Sequence, residues 1–227
     1  MLAFTNYDFL SILQLASPNL PVGAYSYSEG LETLVDKGVI TCASTLKSWV
    51  ESELAYGSIR LDTLVMNRAY NATLTGDIQT LQRWNLWLSA ARDTEELRAA
   101  SWQMGRSLQK LITKLAPQTI PLYESVGNPC NYAIALGVAA AHWQINPEAT
   151  TLAYLYSWAN NLVTAGVKLV PLGQTAGQEI LLGLQKLLSK TTAEILILED
   201  DEIACCSWGL SLASMQHETQ YTRLFRT

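Results

Sequence analysis

Charge is the scarcest commodity in this sequence. Asp, Glu, Lys and Arg make up 15% of its 227 residues, where soluble domains average about 25%. Apolar types do not fill the gap, since they reach 49%, inside the usual range of roughly 45–50%. A disordered chain needs low hydrophobicity and high charge, so disorder is excluded. Lys and Arg number 15 against 20 Asp and Glu, a net charge of −5. Nucleic-acid phosphates demand a cationic excess, so no nucleic-acid partner is expected.

Metal ligands are equally short. The two histidines, His142 and His217, stand far apart, and no H-x-x-x-H or E-x-x-H pattern surrounds them. A transition ion needs converging His, Cys and carboxylate groups. Four cysteines occur, Cys42, Cys130, Cys205 and Cys206, without any C-x-x-C spacing. They read as small buried hydrophobes in a reducing compartment. A chain of this length buries roughly 70% of its unfolded surface and needs no disulfide or metal staple. G-x-S-x-G and G-x-x-x-x-G-K-[ST] are both missing, which removes the common nucleophile elbow and phosphate cradle. Neither a catalytic residue nor a cofactor is therefore assigned.

Long apolar runs are missing too. Between Ser125 and Val167 the only charged residue is Glu148, yet Asn128, Pro129, Asn131, His142, Gln144 and Asn146 interrupt the stretch. A membrane span needs about 18 consecutive apolar residues, so residues 125–167 are expected as protein core or dimer contact. The start of the chain lacks the basic and apolar regions of a signal peptide. A soluble, cytoplasmic protein is expected.

What the chain does have is helical rhythm. Leu97, Ala100, Met104, Leu108, Leu111 and Leu115 recur at three- and four-residue steps, one apolar helix face. Thr94 precedes them as an N-cap, with Glu95 and Glu96 in the first turn. Asn146-Pro147-Glu148 is a second helix start: a cap, proline at the first position, then an acid at the positive end of the dipole. Leu46, Val50 and Leu54 mark another helix, and Leu181, Leu184, Leu187 and Leu188 a late one. Glu194-Ile195-Leu196-Ile197-Leu198 alone looks strand-like, and no partner strand is evident. The expectation is an all-α fold: residues 1–227 as a single-domain, irregular helical bundle.

Three segments stand out for chemistry. Leu20-Pro21-Val22-Gly23-Ala24-Tyr25-Ser26-Tyr27-Ser28 is a turn dense in tyrosine and serine, types that serve well in contacts with other proteins. Pro171-Leu172-Gly173-Gln174-Thr175-Ala176-Gly177-Gln178 is a second turn, rich in amides, with Lys168 just upstream. At the far end, Tyr221, Arg223, Leu224, Phe225 and Arg226 are of types enriched at interface hot spots. That segment is expected to become ordered on a partner. The acidic run Glu199-Asp200-Asp201-Glu202 is the best enzyme-like feature, since aspartate clusters hold Mg²⁺ against diphosphates in some helical enzymes. It reads more simply as a solvated helix N-terminus.

Taken together, residues 13–32 (through Ser17-Pro18-Asn19-Leu20-Pro21-Val22-Gly23), Val167-Lys168-Leu169-Val170-Pro171-Leu172-Gly173-Gln174-Thr175 and Ala213-Ser214-Met215-Gln216-His217-Glu218-Thr219-Gln220-Tyr221-Thr222-Arg223-Leu224-Phe225-Arg226 resemble the urease accessory proteins of the UreF family. The departures are Ala24 and Tyr25 where Gly and Phe are usual, and Lys168 and Gln216 where Arg is usual. Lys does not reproduce a bidentate Arg contact.

The resemblance implies an all-helical, non-enzymatic homodimer. Such a factor joins a UreD/UreH-type accessory protein to the UreG-type, nickel-carrying GTPase for GTP-dependent delivery of nickel to apo-urease. It further implies that the segment from His217 onward, with Tyr221, Arg223, Leu224, Phe225 and Arg226, contacts the UreD/UreH-type partner. Lys168, Gln174 and Gln178 are placed toward the GTPase, and Pro21, Gly23, Tyr25, Ser26 and Tyr27 form the family's turn motif. Two alternatives stand beside this reading. One is a Mg²⁺-dependent helical enzyme using residues 199–202; the other is a nickel-binding chaperone using His217 or Cys205.

Overall fold

The computed structural model describes residues 5–227, and its centre is the least charged stretch of the sequence. There the helix α8 (Tyr132–His142) has residues 133–141 all buried. A helix apolar on every side has no face for water and must lie inside. Around it run α1 (Asn6–Leu15), α2 (Leu31–Asp36), α3 (Ala43–Tyr56), α4 (Ile59–Thr75), α5 (Ile78–Ala90), α6 (Glu95–Leu115) and α7 (Ile120–Val126). They are followed by α9 (Pro147–Leu169), α10 (Gln174–Ile197) and α11 (Trp208–His217). One hydrophobic cluster takes residues from all these helices, from Leu15 to Phe225. The described residues form no strand, and the fold is all-α.

α4 and α6 sandwich α8, and α9 packs against α10, with α3 across both. The α4–α8 approach is close because of one residue. A Cβ at Gly137 would stand 2.4 Å from the Met66 carbonyl oxygen, so two backbones meet where only glycine fits. Helix starts follow the local chemistry. Thr94 accepts the Leu97 N–H at 3.2 Å and Asn146 accepts the Ala149 N–H at 3.1 Å, each satisfying a donor that the first turn leaves free.

The charge-poor residues 125–167 are core in large part, as expected. α8 is enclosed, and α9 buries Thr151, Tyr154, Leu155, Ala159, Leu162 and Val163, while Leu152 and Tyr156 face outward. Two expectations need correction. Residues 194–198 are not a strand, since α10 continues to Ile197. Ile195 extends the buried face of Leu184, Leu188 and Thr191, and Glu194 pairs with Arg60 at 3.0 Å. Burial at helical spacing overrides the local β-propensity. Nor are the cysteines all buried: Cys130 is, whereas Cys42, Cys205 and Cys206 are exposed. Among the described residues no helix is long and apolar enough to cross a membrane.

Candidate functional site

Two of the three segments singled out in the sequence, the first and the last, meet on one side of the fold, and Lys168, just upstream of the other, reaches Phe225. Gly23 and Gly30, at φ +80° and +76°, bend the first segment twice, a conformation that costs glycine little. Between them a 3₁₀ turn (Ala24–Ser26) lifts Tyr25 into solvent. Gly30 also makes room for α11. A Cβ there would lie 3.0 Å from Ala213 Cβ and 3.1 Å from the Ser214 nitrogen. Ser214 Oγ in turn lies 2.7 Å from Thr94 Oγ1, so α11 bridges the N-terminus of α6 and the start of α2.

Beyond α11 the chain folds back along the first segment. The Arg226 N–H donates to the Ser26 carbonyl and the Ser28 N–H to the Thr227 main-chain oxygen, each at 2.8 Å. The N–H groups of Leu224 and Phe225 both donate to the Glu32 carboxylate, at 2.6 and 2.9 Å. His217 lies between two acids, with Nδ1 at 2.8 Å from Glu96 and Nε2 at 3.4 Å from Glu32. Arg223 Nη1 donates to the second Glu96 oxygen at 2.8 Å. The Phe225 ring is buried, and Lys168 Nζ lies 5.9 Å from its centroid, within cation–π range.

This geometry revises the expected roles. The segment from 217 onward is already ordered on its own chain, so its order does not wait for a partner. His217 is 0% exposed and holds Glu32 and Glu96 together; it is not a surface contact, because a ring enclosed at the end of α11 has no free edge. Phe225 is likewise turned inward as an anchor, and Arg223 folds the segment by also donating to the Gln220 carbonyl at 3.0 Å. Tyr221 is 103% exposed, Tyr25 69% and Leu224 67%, and Arg226 also faces out. Of the turn motif, Pro21 is exposed and Tyr27 buried, while Gly23 and Ser26 are half-buried. Gln174 and Gln178 lie exposed in the first turns of α10. Lys168 is brought to the first segment's side through Phe225.

A second group, which the sequence reading did not find, lies inside. A cavity of about 80 Å³ is lined by Glu29, Asp62, Arg92, Tyr154 and Trp158 among others. Glu29 has φ +51°, unusual for a residue with a Cβ, and accepts the Trp158 indole N–H at 2.9 Å. Burial pushes the carboxyls of Glu29 and Asp62 up, with Arg92 opposing the shift at each, and Arg92 donates to Asp62. Glu53, near Glu29, is pushed up to about 7 by burial and by the Glu29 charge, and its Oε2 has no hydrogen-bond partner. These acids are not contiguous in sequence: Glu29 sits in the turn before α2, Glu53 on α3 and Asp62 on α4. One signal was available: Glu53 falls on the apolar face of Leu46, Val50 and Leu54.

The acidic run is accounted for differently. Residues 200–202 form a 3₁₀ turn, not the first turn of an α-helix. Asp200 receives Arg68 Nε at 2.7 Å and lies 3.7 Å from Arg83, so cations of the protein itself face it. Among the described residues no group of three or more His, Cys, Asp or Glu is arranged to hold a metal ion.

The UreF family model matches residues 40–185. A urease accessory protein UreF of Trichormus variabilis is 67% identical over 226 residues, spanning 100% of this chain and 99% of its own length. That of Nostoc sp. is 69% identical, over 98% of this chain and 97% of its own. That of Microcystis aeruginosa is 54% identical, over 97% and 98%.

Proposed function

The chain belongs to the UreF family of urease accessory proteins, and from that membership we propose that it serves urease maturation as a scaffold. It acts as a homodimer in the cytoplasm and holds a UreD/UreH-type accessory protein beside a UreG-type GTPase. Nickel, the cargo, then passes to apo-urease in a GTP-dependent step. The chain contributes binding surfaces to this process and no covalent chemistry.

One observation carries the reading. Two segments almost two hundred residues apart in sequence are folded together, and their outward groups are Tyr25, Tyr221, Leu224 and Arg226. Exposed aromatic and aliphatic side chains on a rigid base, edged by arginine, match what protein interfaces use as anchors. A base tied down before binding also spares the complex the cost of ordering it. We assign this surface to the UreD/UreH-type partner. Gln174 and Gln178, exposed where α10 begins, are assigned to the GTPase together with Lys168.

Deleting residues 217–227 would remove the buried His217 and Phe225 and confuse binding with folding. The cleaner test is Tyr221→Ala with Leu224→Ala. The double variant is expected to keep the parent melting temperature and lose co-purification with the UreD/UreH-type partner. Undiminished co-purification would remove this surface from the interface. Gln174→Ala with Gln178→Ala should instead release the GTPase from a preformed three-protein complex and leave the other pair intact.

A further inference from the structure

The N–H groups of Leu224 and Phe225 point to the same side of the chain and to the same carboxylate. Two successive N–H groups so arranged form a concavity suited to an anion. Here the anion is built in, as Glu32, which is 7% exposed on α2. Its Oε1 takes the Leu224 N–H, and its Oε2 takes the Phe225 N–H and faces His217 Nε2. His217 continues the chain of contacts to Glu96, and Glu96 to Arg223. Acid, imidazole, acid and guanidinium thus alternate across α2, α11, α6 and the returning segment. Thr33 on α2 and Lys37 just beyond its end add bonds to Gln220 and Gln216.

The side chains on the returning segment divide accordingly. Phe225 and His217 point into the clasp, and Tyr221 and Leu224 point away from it. A backbone with N–H groups 224 and 225 turned inward is the one that leaves the Leu224 side chain outside. We infer that Glu32 is a positioning residue: through the Leu224 and Phe225 N–H groups, and with His217 and Glu96, it fixes the shape in which the segment offers Tyr221 and Leu224 to a partner. The chemistry of the offered surface calls for a protein with an apolar pocket bordered by acidic groups that match Arg226. This inference rests on the proposed role of that surface, and its test is arranged so that the two can fail separately.

The experiment uses the full chain carrying Glu32→Gln, an isosteric change that replaces an acceptor oxygen by an amide donor. Two readouts are taken: backbone hydrogen exchange of residues 218–227, and the dissociation rate of the UreD/UreH-type protein. Hydrogen bonds to a charged acceptor support an exchange increase of about 10- to 100-fold at Leu224 and Phe225. The amides of α8 should exchange at the parent rate, and the partner should dissociate faster. A merely structural acid would raise exchange throughout. Unchanged exchange at Leu224 and Phe225, or an increase spread evenly over the chain, overturns the inference. Faster local exchange with unaltered partner dissociation leaves the clasp standing and removes the surface from the interface. Should Glu32→Gln not fold, Glu96→Gln is read in the same way. It releases Arg223 and one side of His217, and a smaller local increase is expected, with its absence counting against the clasp.

Discussion

Replacing Glu53 with glutamine is expected to stabilise the chain above neutral pH and to weaken it slightly in acid. Glu53 is 6% exposed on α3, and burial with the nearby Glu29 charge lifts its carboxyl from 4.5 to about 7. Between these values the folded chain binds more protons than the unfolded one, so stability falls as pH rises through that window. Above it the whole difference is lost: a gap of about 2.5 pH units at about 1.4 kcal/mol each is roughly 3 kcal/mol. Glutamine removes the charge and keeps the shape. Because Glu53 Oε2 has no partner, an amide there leaves donors unsatisfied, costing about 1 kcal/mol at every pH. The net gain is about 2 kcal/mol at pH 8, or roughly 4–8 °C in melting temperature for a chain of this size. At pH 4 the sign reverses, by about 1 kcal/mol. Urea unfolding of both proteins at the two pH values measures this directly. A difference of the same sign and size at both would refute the assignment of a strained, proton-holding carboxyl to Glu53.

Other expectations are open to simple assays. Gly137→Ala should destabilise by at least about 1–3 kcal/mol, because the Met66 backbone oxygen cannot yield to a Cβ; Gly173→Ala, where a Cβ meets nothing within 4 Å, should be neutral in the same melting experiment. Gly30→Ala should detach α11 from α2, seen as faster hydrogen exchange in 208–217, since it meets both a positive φ and the Ala213 side chain. The Cys42 thiol is pulled down to about 6 by Ser44 and Thr45, whereas burial pushes Cys205 up. Thiolate is the reacting form, so iodoacetamide at pH 7 should modify Cys42 first, and equal rates would contradict this. Cys130, pushed up to about 12 and buried, should react only on unfolding.

What could be read from the sequence was local. Asn146-Pro147-Glu148 and Thr94 mark helix starts by chemistry that acts within four residues, and the structure places α9 and α6 there. The charge-poor run became α8 because a helix without a polar face has one place to go. The strand-like look of residues 194–198 misled because propensity is read without neighbours, and Arg60 and the α10 core face decided the matter. The clasp was illegible for a related reason. Glu32 and Leu224 are 192 positions apart, and nothing in either stretch says that a carboxylate of one is the acceptor for the other. The types at Tyr221, Leu224 and Phe225 point to contact but not to direction, and only the fold shows that Phe225 and His217 face in. The interior group of Glu29, Asp62 and Arg92 was hidden in the same way, with Asp62 and Arg92 standing 30 positions apart.

The clasp also bears on how the protein is made. Ser28 meets Thr227 across 199 positions of sequence, so the surface that includes Tyr25 and Leu224 is among the most non-local features of the fold. Non-local contacts form late, after the intervening helices have condensed. A nascent chain therefore completes its core well before it completes this surface, because the second half of the surface leaves the ribosome almost two hundred residues after the first. A chain halted between α10 and Tyr221 already has α8 and the helices α4, α6, α9 and α10 and still lacks Tyr221, Leu224 and Arg226. Whatever protein recognises that surface tests, in the same act, whether two stretches almost two hundred residues apart have been brought together.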